Sequence, residues 1–232
     1  MSPELVAILK LAAAFLALFG FAEVLYHKLR VPAEYTRSIV HAGTGLLTLL
    51  FPVMLHALWQ VILLCGSFLA LLLTSIRFGW LPSINAVSRR SQGSWLFPVI
   101  VVICFWYSIR MQSATDPLFR PYYYFAVPLL LLAICDPAAA ITGRLFRKKF
   151  PQTAPGKTLA GSFAFLLLAG IICIAGSYML TNGKIPSHFF FATGLATAFI
   201  ACLSERHSGG GWDNFTIPAS ALLCMAATDY AL

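Results

Sequence analysis

The sequence predicts an all-α, polytopic integral membrane protein with about eight transmembrane helices. Three observations carry that class. Hydrophobic residues make up 59% of the 232 and charged residues only 10%, where a soluble domain carries roughly a quarter charged. Apolar runs recur from end to end, each near the ~20 residues that a helix needs to cross a bilayer. The 16 lysines and arginines fall almost entirely between those runs, where they orient spans and meet anionic headgroups or phosphates. A net charge of +8 would suggest nucleic acid in a soluble chain. Its confinement to short loops argues for membrane lipids and phosphates instead.

The first span, about Leu5–Tyr26, has no basic segment before it and no small-x-small cleavage site, so it reads as a retained helix and not a signal peptide. The second and third, Ser38–Met54 and Ala57–Phe78, read equally as one long hairpin turning near Phe51-Pro52. Then come Trp95–Ile109, Tyr122–Phe146 with a candidate break at Asp136-Pro137, Leu159–Leu180, His188–Leu203 and Phe215–Ala231. Residues 1–232 read as a single transmembrane domain without repeats or tails. The six cysteines all lie inside apolar runs and form no C-x-x-C pair, so they read as small buried hydrophobes rather than disulfides or zinc ligands.

The basic residues set the orientation. Loops 1, 3, 5 and 7 hold Lys28, Arg30, Arg37, Arg77, Arg89, Arg90, Arg144, Arg147, Lys148, Lys149, Lys157 and Arg206; the other side holds Arg110, Arg120 and Lys184. Basic loops stay cytoplasmic. Both termini are therefore expected outside, with the four basic loops sharing the cytoplasmic face.

The ionisable residues that interrupt apolar sequence gather at that same face. His41 follows Arg37 by four, so both lie on one side of the second helix, with Gly43 and Gly45 allowing close approach behind them. The plain alternatives are a buried histidine bonded to a neighbour and a positive-inside anchor. Asp136 is more demanding, because a mid-helix acid costs about 2.5–3.5 kcal/mol on insertion scales. In a continuous helix Arg144 would lie eight residues on, ~12 Å away, which puts Asp136 below the headgroups. Pro137 removes an N–H and disfavours helical geometry before it. Asp136 is thus expected to cap a second half-helix that starts at Pro137, in a break that lines a cavity. Ala138, Ala139, Ala140 and Gly143 keep that half-helix thin. The structural alternative is a cap paired with a lysine or arginine.

Loop 5, GRLFRKKFPQTAPGKTLAGS, places five cations within fifteen residues, more than orientation requires. Its Gly156-Lys157-Thr158 precedes a helix, with Gly161 and Ser162 one turn in. Backbone N–H groups at a helix start with a lysine beside them suit a phosphate. The Walker A frame is absent, since Pro151 stands where its first glycine would be. Loop 7, SERHSGGGWDNFTIP, brings Glu205, Asp213 and Asn214 to the same rim; Asp213 or Asn214 serves equally as a cap for the last helix. Asp136, Glu205 and Asp213 are three of only eight acids. Oxygen ligands beside a basic cluster suit Mg²⁺ or another divalent cation carrying a polyphosphate. Metal and cations together would neutralise charge on a transferring phosphoryl group.

At these residues the chain resembles the CTP-dependent lipid-alcohol kinases, the family of dolichol kinase, phytol kinase and the yeast-type diacylglycerol kinase, and more distantly the phosphatidate cytidylyltransferases. The resemblance rests on Arg37-Ser38-Ile39-Val40-His41 with Gly45, Ser91-x-Gly93-Ser94 with Pro98, and Asp136-Pro137-Ala138-Ala139 with Gly143-Arg144. It continues through Gly156-Lys157-Thr158-Leu159-Ala160-Gly161-Ser162 to Glu205, Asp213-Asn214 and Pro218. The chain departs from the family pattern at Ser38, Cys135, Thr158 and Ala160, where lysine, glycine, serine and an acid are common.

The resemblance implies CTP as phosphoryl donor, a divalent metal and a membrane-embedded alcohol, isoprenoid or diacylglycerol. On it, Asp136 holds the metal or orients the hydroxyl as a base, and Glu205 and Asp213 complete the metal site. Arg37, Arg144, Lys148 and Lys157 bind phosphates, with Gly143, Thr158, Gly161, Ser162 and Asn214 around them, and His41 positions the alcohol or a phosphate. Three rivals stand beside it, one of them a purely structural membrane subunit. A cytidylyltransferase would let phosphatidate attack the α-phosphate, and a transporter would use Asp136 and His41 on an ion path.

Overall fold

The computed structural model describes residues 2–85, 92–112, 119–147, 149, 152–154, 157–181 and 187–229. Arg89, Arg90, Ser91, Lys148, Gly156 and Lys184 lie outside the described residues. Helices stand at all eight expected positions: α1 (Pro3–His27), α2 (Ala33–Thr48) with short α3 (Phe51–Met54), α4 (Leu58–Phe78), α6 (Gly93–Arg110), α7 (Phe119–Leu130) running into α8 (Asp136–Leu145), α9 (Leu159–Thr181), α10 (Ser187–His207) and α11 (Asp213–Asp229). Short α5 (Pro82–Asn85) follows α4. Strands β1 (Gln152–Ala154) and β2 (Lys157–Thr158) form a small antiparallel hairpin before α9. Five segments are long and apolar enough to cross a bilayer: Pro3–His27, Ala33–Met54, Leu58–Phe78, Phe119–Leu145 and Leu159–Met179; Trp95–Arg110 is apolar but shorter.

Local chemistry explains the ends. Ser2 accepts the Leu5 N–H at 3.3 Å, Pro3 starts α1 and Glu4 lies in its first turn, so cap, fixed φ and dipole agree. Gly79, at φ 69°, ends α4 in the left-handed conformation. The turn between α2 and α4 falls at residues 55–57 and not at Phe51-Pro52. Pro52 opens α3, where its missing N–H is harmless. The buried Gln60 then reaches back, its Oε1 accepting the His56 and Ala57 N–H groups at 2.8 and 3.1 Å.

The segment Phe119–Leu145 is the axis of the bundle. Protein encloses 61% of its apolar window, against 22–28% for the other four spans. Phe125 stacks on Phe51 at 6.4 Å and meets Phe105 edge-on at 5.8 Å; Phe51 in turn meets Phe15 at 6.1 Å. This aromatic chain ties α1, α3, α6 and α7 into one core.

The expected break at Asp136-Pro137 takes another form. Asp136 is not an extended cap: its φ and ψ are −65° and −49°, which are helical. The helix instead widens into a π turn over Leu131–Cys135, and the Asp136 N–H bonds the Leu131 carbonyl five residues back. Pro137 has no N–H to give, and the wider turn carries the chain past it without a break, as π-bulges do. α2 packs against this turn through Gly45, where an added Cβ would overlap the Ala133 side chain. Gly45→Ala is therefore expected to lower the thermal midpoint of the detergent-solubilised protein, since overpacking costs about 1–3 kcal/mol. Gly66→Ala, where nothing lies within 4 Å of the added atom, leaves the midpoint unchanged or raised.

Candidate active site

Four elements deliver one charged cluster. β2 ends at Lys157-Thr158, the last turn of α10 carries Glu205, α11 begins at Asp213, and Asp136 is the first residue after the π turn. The Lys157 ammonium lies 2.6 Å from Glu205 Oε1, 3.7 Å from Asp213 Oδ2 and 4.0 Å from Asp136 Oδ1. Glu205 is the deepest of the three, only 3% exposed, against 17–20% for the other side chains. Its second oxygen accepts from Ser162 Oγ at 3.5 Å, and Cys202 donates to the Ser162 carbonyl at 3.4 Å. Burial opposes the charge on Lys157, but Asp136, Glu205 and Asp213 outweigh it and hold its pKa above the ordinary lysine value.

Arg37, on α2, is half-buried within electrostatic reach of Asp213 and Asp136. One turn on, His41 Nε2 lies 3.9 Å from Asp136 Oδ2. The two Asp136 oxygens thus face different neighbours, Oδ1 towards Lys157 and Oδ2 towards His41. The loop between α10 and α11 is held to the start of α6 by Gln92 N–H to the Gly210 carbonyl at 2.8 Å and by Trp95 against Trp212 at 6.3 Å. Gly210 and Gly211 turn there at φ 67° and 93°, which glycine alone adopts freely. Residues next to loops 1, 3, 5 and 7 of the sequence accordingly share one rim of the bundle.

The other candidates make the following contacts. Thr158 caps α9, its Oγ1 accepting the Gly161 N–H at 3.2 Å. Gly143 and Gly161 let α8 and α9 touch: an added Cβ would stand 2.9 Å from Thr158 Oγ1 at the first and 2.7 Å from the Ala139 carbonyl oxygen at the second. Arg144 stacks over the Tyr35 ring at 5.1 Å, on the rim outside the cluster. Asn214 is buried beside Asp213, whose Oδ1 accepts its N–H at 3.1 Å. Among the described residues no three His, Cys, Asp or Glu side chains gather as a ready metal cage. The carboxylates converge on the ammonium instead.

A polytopic membrane bundle with a lysine held by three carboxylates beside an arginine and a histidine defines a membrane protein built to manage concentrated charge at its rim. A sequence model of the cytidylyltransferase family matches residues 1–205, and the chain belongs to that family. Among curated proteins it is similar to the phytol kinase of Synechocystis sp., at 27% identity over 95% of this chain and 91% of that protein. It is also similar to two proteins named CTP-dependent diacylglycerol kinase 1. The one from Eremothecium gossypii is 29% identical over 83% of this chain and 66% of that protein, just under two thirds of its length. The one from Saccharomyces cerevisiae is 28% identical over 84% and 73%. No solved structure matches the chain.

Lys157→Met removes the ammonium and leaves three acids facing one another. Its thermal midpoint should fall well below wild type, and added Mg²⁺ should recover part of the loss while leaving wild type nearly unmoved. Because the Lys157 pKa is raised, its contribution to stability is intact below the ordinary lysine value of about 10.4 and fades only as pH climbs through the raised one. The wild-type to Lys157→Met difference in midpoint should therefore stay constant from about pH 7 to 9 on this group's account.

Proposed function

We propose that the chain is a CTP-dependent kinase that phosphorylates the hydroxyl of a membrane lipid alcohol, an isoprenoid alcohol first and diacylglycerol second, at the cytoplasmic face. The observation that carries this is the Lys157 ammonium placed among Glu205, Asp213 and Asp136, with Arg37 within electrostatic reach of Asp213 and Asp136. The names of the relatives and the family match support the donor and the class of acceptor. The phytol kinase match runs through nearly the whole of both chains, which favours an isoprenoid alcohol.

The donor set suits a divalent cation of the Mg²⁺ type, which binds through one or two carboxylates and completes its shell with phosphate oxygens and water. Asp136 and Asp213, each about one-fifth exposed, would hold it. Such an ion supplies charge neutralisation on the polyphosphate when bound. Glu205 is committed to Lys157 and Ser162, so its role here is to aim the lysine rather than to ligate. Lys157 and Arg37 bind and orient the polyphosphate; Arg144, on the rim, adds positive charge to that surface, and Lys148 adds a further cation by sequence. The alcohol oxygen forms a bond to the γ-phosphorus as the bond from that phosphorus to the β–γ bridging oxygen breaks, and CDP departs with the bridging oxygen. The hydroxyl proton passes to Asp136 Oδ2, the carboxylate oxygen on the His41 side. Orientation and electrostatics supply most of the acceleration in such transfers.

Purified protein in nanodiscs, given γ-labelled CTP, ATP or GTP with phytol, a polyprenol or diacylglycerol, should move label from CTP to an alcohol and release CDP. Asp136→Asn should lower kcat by at least about 100-fold. The family match favours one second reading, a cytidylyl transfer to phosphatidate. Release of pyrophosphate in place of CDP would establish that reading and overturn the kinase.

A further inference from the structure

His41 stands on α2, one turn before Gly45, which packs on the π turn that leads into Asp136. Its Nε2 is buried and has no hydrogen-bond partner among the described residues. In the neutral ring protonated at Nδ1, Nε2 is an acceptor. Asp136 Oδ2 faces it at 3.9 Å, a separation too long for a hydrogen bond, so neither atom satisfies the other across that gap.

Thr44 lies three residues beyond His41, on the same face of α2. Gly45 beside it packs directly on Ala133 of the π turn, so this stripe of α2 faces the turn. Thr44 Oγ1 is likewise buried without a hydrogen-bond partner among the described residues. From Arg37 through His41 to Thr44 the helix descends away from the charged rim, about 10 Å at 1.5 Å per residue. The gap is thus bounded by charge above and by membrane-depth helix below.

We infer that His41 Nε2 and Thr44 Oγ1 form the subsite that holds the acceptor's hydroxyl, and that the ligand it takes is an alcohol carried on an apolar tail. The alcohol O–H donates into the gap, where it can turn from Nε2 to Asp136 Oδ2, and its oxygen accepts from the Thr44 hydroxyl. Each of the two orphaned buried atoms gains a partner, which repays a desolvation cost that would otherwise stand. A site built to hydrogen-bond a hydroxyl rejects a ligand lacking one far more strongly than a greasy wall distinguishes tails. This inference rests on the kinase reading, and it adds Thr44 as a residue that recognises the substrate.

The test is a comparison of wild type, Thr44→Val and Thr44→Ser, with rates measured against phytol at saturating CTP and against CTP at saturating phytol. Thr44→Val should raise KM for phytol roughly tenfold with KM for CTP unchanged. Thr44→Ser should return KM for phytol to within about twofold of wild type. The hydrocarbon with the same tail and no hydroxyl should inhibit wild type and Thr44→Val with equal Ki. Should Thr44→Val fail to fold, His41→Gln reads the same subsite and is expected to raise KM for phytol while sparing KM for CTP. Unchanged KM values for phytol in a folded variant, or equal rises for phytol and CTP, would overturn the subsite alone. A wild type that phosphorylates no alcohol overturns the kinase reading and this inference together.

Discussion

A lysine ammonium gripped by three carboxylates at the rim of an apolar bundle is the constraint on which the rest of this structure depends. Removing charge from water is expensive, and a single ion pair at such a place barely offsets the cost. Here the offset is shared. Glu205 supplies the short contact at 2.6 Å, while Asp213 and Asp136 complete the field at 3.7 and 4.0 Å. Four separate elements must arrive together for that balance to hold. The close packing of α8 on α9 at Gly143 and Gly161, and of α2 on the π turn at Gly45, brings them there.

The same cluster has a dual character. As it stands, the acids neutralise a cation supplied by the protein itself. In the proposed reaction Asp136 and Asp213 would hold a divalent ion, Lys157 and Arg37 would bind the phosphates, and Glu205 would keep the lysine aimed. Little covalent chemistry is asked of the protein in phosphoryl transfer, so a rim that concentrates both signs of charge supplies most of what the reaction needs.

The helices were legible because bilayer length and apolar composition admit few alternatives: each of the eight expected spans coincides with a helix. Asp136, Lys157, Glu205 and Asp213 were legible too. For Asp136 the reason is that an acid inside apolar sequence is costly enough to demand a partner; Lys157, Glu205 and Asp213 stood out as a lysine at a helix start and scarce acids in loops at the same rim. The form of the bend at Asp136 was not legible. Proline before a helix start and proline after a π turn leave the same trace in sequence, and only the backbone bond from Asp136 to Leu131 separates them. Thr44 was hidden as well, because threonine is commonplace in a membrane helix. It gains meaning only from its orphaned hydroxyl and its place one turn below His41. Thr158, Gly143 and Gly161 stand around the phosphate-binding cations in the sequence motif, and their helix cap and close packing became visible only in the structure.

The most direct measurement is equilibrium binding of CTP with Mg²⁺ to the purified protein in nanodiscs, wild type against Lys157→Gln, each first checked for folding by its thermal midpoint. The account requires that wild type bind saturably and that folded Lys157→Gln lose most of that affinity. Equal affinity in the two proteins would contradict a nucleotide site built on Lys157.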